Sequence, residues 1–248
     1  MTEPVVVRGL TKTFIDEARG EIHAVRGISF DCRAGEIFGL LGANGAGKTT
    51  TLRMLSTILA PTAGSATILG HNAVTDPPSV RRQIGFYSAS TALYPRLTAR
   101  ETIEFFARIN RYPSDRVRER VEFLIDRFGI AKYANARVDK LSSGMKQKVS
   151  IARTVAHDPA VLIFDEPTVG LDVLNALEMH DVVKEFRSQG KTIILSTHIM
   201  SEAEKLCDRI AIIHSGRILA CDTLDRLREV TGARYLEDIF VHYVRGRE

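Results

Sequence analysis

The stretch Gly42-Ala43-Asn44-Gly45-Ala46-Gly47-Lys48-Thr49-Thr50 constrains this chain more than any other. It fits the glycine-rich phosphate-loop pattern and lies between an apolar run, Ile37-Phe38-Gly39-Leu40-Leu41, and a helical pattern of Leu52, Leu55, Ile58 and Leu59. A strand, a tight loop and a helix in that order predict nucleotide binding by an α/β core. In such a loop successive N–H groups and the helix N-terminus face the phosphates, and glycine lets the backbone come close. Lys48 adds a positive charge over the β and γ phosphates, and the Thr49 hydroxyl is the expected Mg²⁺ ligand. Asn44 and Ala46 act more through main-chain groups than side chains, and Gly42, Gly45, Gly47 and Thr50 complete the candidate loop.

A second apolar run, Ala160-Val161-Leu162-Ile163-Phe164, reads as a buried strand with Asp165-Glu166 at its polar end. Asp165 is placed to organise Mg²⁺, and Glu166 to activate a water beside the γ phosphate. At a strand tip the chain turns enough for adjacent acids to point into different parts of one site. A third strand, Thr192-Ile193-Ile194-Leu195-Ser196-Thr197, ends at His198, a candidate γ-phosphate sensor or water-orienting group. His157 and His180 have no comparable placement, and no role is expected of them.

Between these blocks the pattern changes. Val5-Val6-Val7 and Ile28-Ser29-Phe30 read as early strands separated by a polar tip over residues 16–21, and a further strand is expected at 66–70. From about residue 90 helical spacing takes over: Thr98 caps a helix with Glu101 reaching back, and Val117, Val121, Leu124 and Phe128 follow at helical intervals. Leu174, Leu177, Val182 and Phe186 predict one apolar helix face, Arg209–Ile213 and Arg217–Ala220 flank a Ser215-Gly216 turn, and Leu236–Val244 predicts a short amphipathic helix.

The 248 residues carry 34 Lys and Arg against 30 Asp and Glu, a net charge of +4 spread along the chain, which gives no nucleic-acid-binding stripe. Cys32, Cys207 and Cys221 are widely spaced and predict reduced thiols in the cytosol rather than a zinc site or disulfides. The opening MTEPVVVRGL has no secretion-leader pattern and no segment is apolar enough to cross a bilayer, so any membrane pathway is expected on another polypeptide.

Leu141-Ser142-Ser143-Gly144-Met145-Lys146-Gln147-Lys148, upstream of Val161-Leu162-Ile163-Phe164-Asp165-Glu166-Pro167, resembles the signature loop and helix of the ATP-binding subunits of ABC transporters, with Ser143 and Met145 in place of the commoner glycine and glutamine. Read without the resemblance, Ser142 is equally a helix cap. The resemblance spans nearly the whole chain. It implies a P-loop NTPase core of the ABC ATPase type with an antiparallel β subdomain and an inserted helical subdomain: core and β subdomain at residues 1–88 and 158–230, helical subdomain at 89–157, and a short extension at 231–248. It implies two copies enclosing two ATP molecules, each phosphate loop facing the other copy's Leu141 to Met145. Gly170-Leu171-Asp172 resembles the connecting D-loop, and Phe14 the aromatic residue that stacks on adenine. Where the family commonly has a glutamine linking the Mg²⁺ and water network to the membrane partner, this chain has Ala89, and neither Ser88, Ser90 nor Gln83 is a firm substitute.

Leu93 to Thr98, Gly144 to Lys148 and Leu236 to Phe240 resemble sodium- or drug-exporting systems of the ABC-2 kind most closely. The expectation is an ATPase, peripheral on the cytoplasmic face, that drives separate ABC-2 type permease subunits and makes no direct contact with nucleic acid. An ATP-dependent regulator without transport and a soluble nucleic-acid-associated ABC protein are the alternatives, although the chain shows neither a long coiled-coil arm nor a duplicated cassette.

Overall fold

The computed structural model describes residues 3–18, 20–88 and 91–246, so Ala89 and Ser90 lie outside the described residues. Val5–Asp16 (β1) and Gly20–Cys32 (β2) form a long antiparallel hairpin with Phe14 opposite Ile22. Ile37–Leu41 (β3) runs through the phosphate loop into Lys48–Leu55 (α1). This helix stops before Ile58 and Leu59, which the spacing assigns to it. Thr57 turns left-handed at φ 59°, which a right-handed helix cannot continue, and Ile58 is left 60% exposed. Ala63–Ile68 (β4), three residues earlier than expected at its start, and His71–Asn72 (β5) complete an antiparallel sheet in the order β2-β1-β4-β5.

Pro77–Gln83 (α2) and Ile84–Ser88 (β6) lead to three helices, Ala99–Ile109 (α3), Val117–Arg127 (α4) and Ser143–Thr154 (α5). The capping box expected before α3 is present: the Glu101 N–H donates to Thr98 Oγ1 at 3.1 Å and the Thr98 N–H to Glu101 Oε2 at 2.8 Å. Val161–Asp165 (β7), Val173–Ser188 (α6), Thr192–Thr197 (β8), Met200–Leu206 (α7), Arg209–His214 (β9) and Arg217–Asp222 (β10) follow, then Leu224–Thr231 (α8) and Leu236–Arg245 (α9).

The second sheet has the order β10-β9-β3-β8-β7-β6, parallel except for β10 at the edge. Its central strands β3, β7 and β8 are buried along their whole length, as covered parallel strands are, whereas the edge strand β10 is partly exposed. Successive side chains alternate: Phe38, Leu40, Ile163, Ile194 and Ala211 pack toward the antiparallel sheet and α1. Leu162, Phe164, Ile193 and Leu195 pack with α3, α4 and α5 in one continuous apolar cluster. Phe30 stacks on Phe38 across the two sheets, with centroids 4.9 Å apart and planes at 9°. The expected face of α6 is corrected. Met179, Val183 and Phe186 are buried, whereas Leu174 is 75% and Leu177 49% exposed. At 100° per residue those two leucines lie roughly 150° round the helix from the buried line.

The strand order positions the site. Strand β8 lies between β3 and β7, with Leu41 opposite Thr197 and Asp165 opposite Ser196. The phosphate loop, the Asp165-Glu166 pair and His198 therefore leave the same sheet edge at the carboxyl ends of three adjacent parallel strands, where open α/β sheets bind ligands.

Candidate functional site

The phosphate loop is held from three sides. The Gly42 N–H donates to Thr197 O at 3.2 Å, the Gly216 N–H donates to Ala46 O at 3.0 Å, and Gly47 starts α1 at φ 106°. A Cβ at Gly42 would sit 2.3 Å from Ile213 O and one at Gly47 2.5 Å from Ala24 O. Ala46 is buried, whereas Asn44 and Gly45 face solvent and Thr50 is half-buried. Lys48, only 4% exposed, folds back over the loop, donating to Gly42 O at 2.7 Å and Ala43 O at 3.1 Å.

The same ammonium lies 3.1 Å from Glu166 Oε1, and His198 Nδ1 lies 3.2 Å from that oxygen. Glu166 reaches this position because it breaks from the strand at φ 48°, an uncommon conformation for a residue other than glycine, and its N–H is held by Ser196 O at 3.1 Å. Burial raises the Glu166 carboxyl, but the hydrogen bonds from Lys48 and His198 outweigh it, so the pKa falls below the ordinary value. Asp165 points elsewhere: its Oδ1 accepts from Thr49 Oγ1 at 3.0 Å and from Ser196 Oγ at 2.7 Å. The turn expected at the strand tip does separate the two acids.

The family model described as "ABC transporter" matches residues 25–169, more than half of the chain and including both the phosphate loop and the Asp165-Glu166 pair. This chain belongs to the ABC transporter family. It is 40% identical over 227 residues to the ABC transporter ATP-binding protein NatA of Bacillus subtilis (strain 168), covering 91% of this chain and 92% of that one. It is 35% identical over 235 residues to the daunorubicin/doxorubicin resistance ATP-binding protein DrrA of Streptomyces peucetius, covering 95% and 70%. A dimeric ATP-binding cassette in a post-hydrolysis state bound to ADP and Pi superposes with a TM-score of 0.78 at 27% identity, covering 89% of this chain and 98% of that one. The chain is an ATP-binding and ATP-hydrolysing subunit that energises an ABC exporter.

The remaining expected residues of this ABC subunit do not join the Lys48 cluster. Ser142 caps α5, accepting from the Met145 N–H at 3.3 Å; Leu141 is buried, Ser143 exposed, and Gly144 and Met145 half-buried. Asp172 caps α6 by accepting from the Asn175 N–H at 3.0 Å, an interaction that holds its carboxyl below the ordinary range. Ser143, Gly144, Gly170 and Asp172 line a separate cavity of about 510 Å³ into which Lys48, Thr49 and Glu166 do not project. Phe14 stays on the hairpin, 38% exposed with the Lys12 ammonium 5.1 Å from its ring centroid. Among the described residues no helix is long and apolar enough to cross a membrane. Sequence reasoning overlooked Ser196, which serves both Asp165 and Glu166, and gave His180 no role. The place of Ser196 beside Thr197 at the polar end of β8, two residues before His198, was the available signal for it.

Proposed function

We propose that Lys48 and the loop N–H groups hold the ATP phosphates, with Thr49 and Asp165 as the protein ligands for Mg²⁺. A hydroxyl and a carboxylate 3.0 Å apart offer only oxygen donors, which suits a hard divalent cation that takes its other ligands from phosphate and water. Mg²⁺ held there would neutralise phosphate charge. Glu166, kept ionised, accepts a proton from water as the water oxygen bonds to the γ phosphorus and the bond to the β-phosphate oxygen breaks, leaving ADP and phosphate. His198, sharing Glu166 Oε1, orients the water and the γ phosphate. The observation that carries this reading is the convergence of Lys48 and His198 on one Glu166 oxygen beside the Thr49–Asp165 pair.

Two copies close over two ATP molecules, each supplying Leu141, Ser142, Ser143, Gly144, Met145 and Asp172 to its neighbour's phosphate loop, and Phe14 stacks on adenine. The likeness to a dimeric cassette supports this, as does the placement of Gly144 and Asp172 away from Lys48. Residues 89–157 serve as the helical unit that meets separate ABC-2 type permease subunits at the cytoplasmic face of the membrane. The cargo is a drug or a sodium ion, a reading supported for drugs by the likeness to DrrA.

Phosphate release tests the assignment. Glu166→Gln should bind ATP yet turn over about 10²-fold or more slowly, the usual share of a general base, and favour the closed dimer. Lys48→Ala should weaken nucleotide binding itself. Turnover equal to wild type in either variant would contradict the roles of these two residues.

A further inference from the structure

Behind the site lies a buried carboxylate that the hydrolytic mechanism does not use. Glu202, in the first turn of α7, is 2% exposed, and three donors converge on its two oxygens. Thr168 Oγ1 donates to Oε1 at 2.9 Å, His180 Nε2 lies 3.2 Å from the same oxygen, and Thr197 Oγ1 donates to Oε2. The two carboxyl oxygens have acceptor capacity for all three partners.

The donors come from three segments that each carry part of the site. Thr168 stands two residues after Glu166 and its carbonyl accepts from the Leu171 N–H at 3.1 Å in the D-loop. Thr197 immediately precedes His198, and its hydroxyl also accepts from the Ile199 N–H at 3.0 Å, fixing the turn in which the histidine sits. His180 belongs to α6, the helix capped by Asp172. The Glu166 and His198 segments also meet through the Glu166 N–H on Ser196 and through the His198–Glu166 contact. Glu202 adds a further tie from α7.

We infer that Glu202 is a positioning residue that clamps the Glu166–Asp172 segment to the His198 turn, so that displacement of the D-loop is transmitted to the histidine. Its burial keeps it from nucleotide, so it acts through Thr168, Thr197 and His180. The inference rests on the roles proposed for Glu166, His198 and Asp172. Removing the carboxylate should therefore loosen two segments together and slow turnover while leaving nucleotide affinity in place.

Hydrogen exchange of the whole chain reads the clamp without relying on activity. In Glu202→Ala the Leu171 and Ile199 amides should both exchange about ten-fold faster, as expected for the loss of the hydrogen bonds that Thr168 and Thr197 make to Glu202. Affinity for a fluorescent ATP analogue should stay within about two-fold while phosphate release falls, and adding Thr168→Val should cost little more because both changes cut the same Thr168–Glu202 hydrogen bond. Glu202→Gln keeps the side chain's shape with one acceptor oxygen fewer. It should show the same paired loosening to a smaller degree and serves if the alanine variant does not fold. Faster exchange at only one of the two amides, losses that multiply, or affinity falling in step with turnover would overturn the clamp. Wild-type turnover in Glu166→Gln would instead overturn the roles of Glu166 and His198, leaving the exchange result to judge Glu202 by itself.

Discussion

At Gly47 two demands fall on one residue: φ is 106°, and a Cβ would meet Ala24 O at 2.5 Å. Gly45 carries only the first demand, with φ at 80° and nothing among the described residues within 4 Å of an added Cβ. Gly45→Ala should therefore cost about 1–2 kcal/mol of conformational strain. Gly47→Ala should add roughly 1–3 kcal/mol of overpacking to that strain, because backbone rather than a flexible side chain stands in the way. Thermal melting should rank the two in that order, and ATP-analogue binding should fall more in Gly47→Ala. Part of this was legible beforehand, since a tight phosphate loop announces itself by glycine spacing, but spacing does not tell Gly47, which has no room, from Gly45, which has. Glu166 was legible as a chemical group, but its left-handed turn was not, because no residue type in Asp165-Glu166-Pro167 demands it.

Among the elements, the join between α5 and β6 carries a pH dependence. His157, just beyond α5, donates from Nε2 to Ile84 O at 2.9 Å, and its buried Nδ1 has no hydrogen-bond partner among the described residues. Burial lowers its pKa from the ordinary 6.5 to about 4. The unfolded chain then binds more protons than the folded one between these values, so the contribution of this neutral histidine is fully present above pH 6.5 and is lost as the pH falls toward 4. The melting temperature should drop through that window. His157→Gln, which retains a donor toward Ile84, should flatten the drop, and an unchanged profile would contradict the assignment. The sequence showed these elements where period and cap agreed, as at Thr98 and Glu101 before α3. It misled where apolar residues occupied both sides of a helix. Leu174 and Leu177 satisfy helical spacing as well as Met179 and Val183 do, and only packing against β8 and α7 decides which line is buried. Polar groups joined across distant segments, such as His180 and Glu202, leave no periodic trace at all.

For the whole molecule the decisive question is whether a site is shared between copies. Lys48→Ala removes one half of a composite site, and Gly144→Asp removes the other; a side chain at Gly144 has open space, so the fold should be kept. Each variant alone should be inactive. Mixed, half of randomly paired dimers would hold one intact site of two, returning about a quarter of wild-type phosphate release if the interface is isologous. No recovery on mixing would place each site within a single chain. Ser142 then sets stability against chemistry. As the N-cap of α5 it can be replaced by aspartate with little loss, because aspartate caps as well and its charge suits a helix N-terminus. Ser142→Asp should melt at or above the wild-type temperature while repelling the incoming triphosphate and losing turnover. A screen that ranked variants by thermal stability alone would select this one as an improvement, and so discard the motor while keeping its fold.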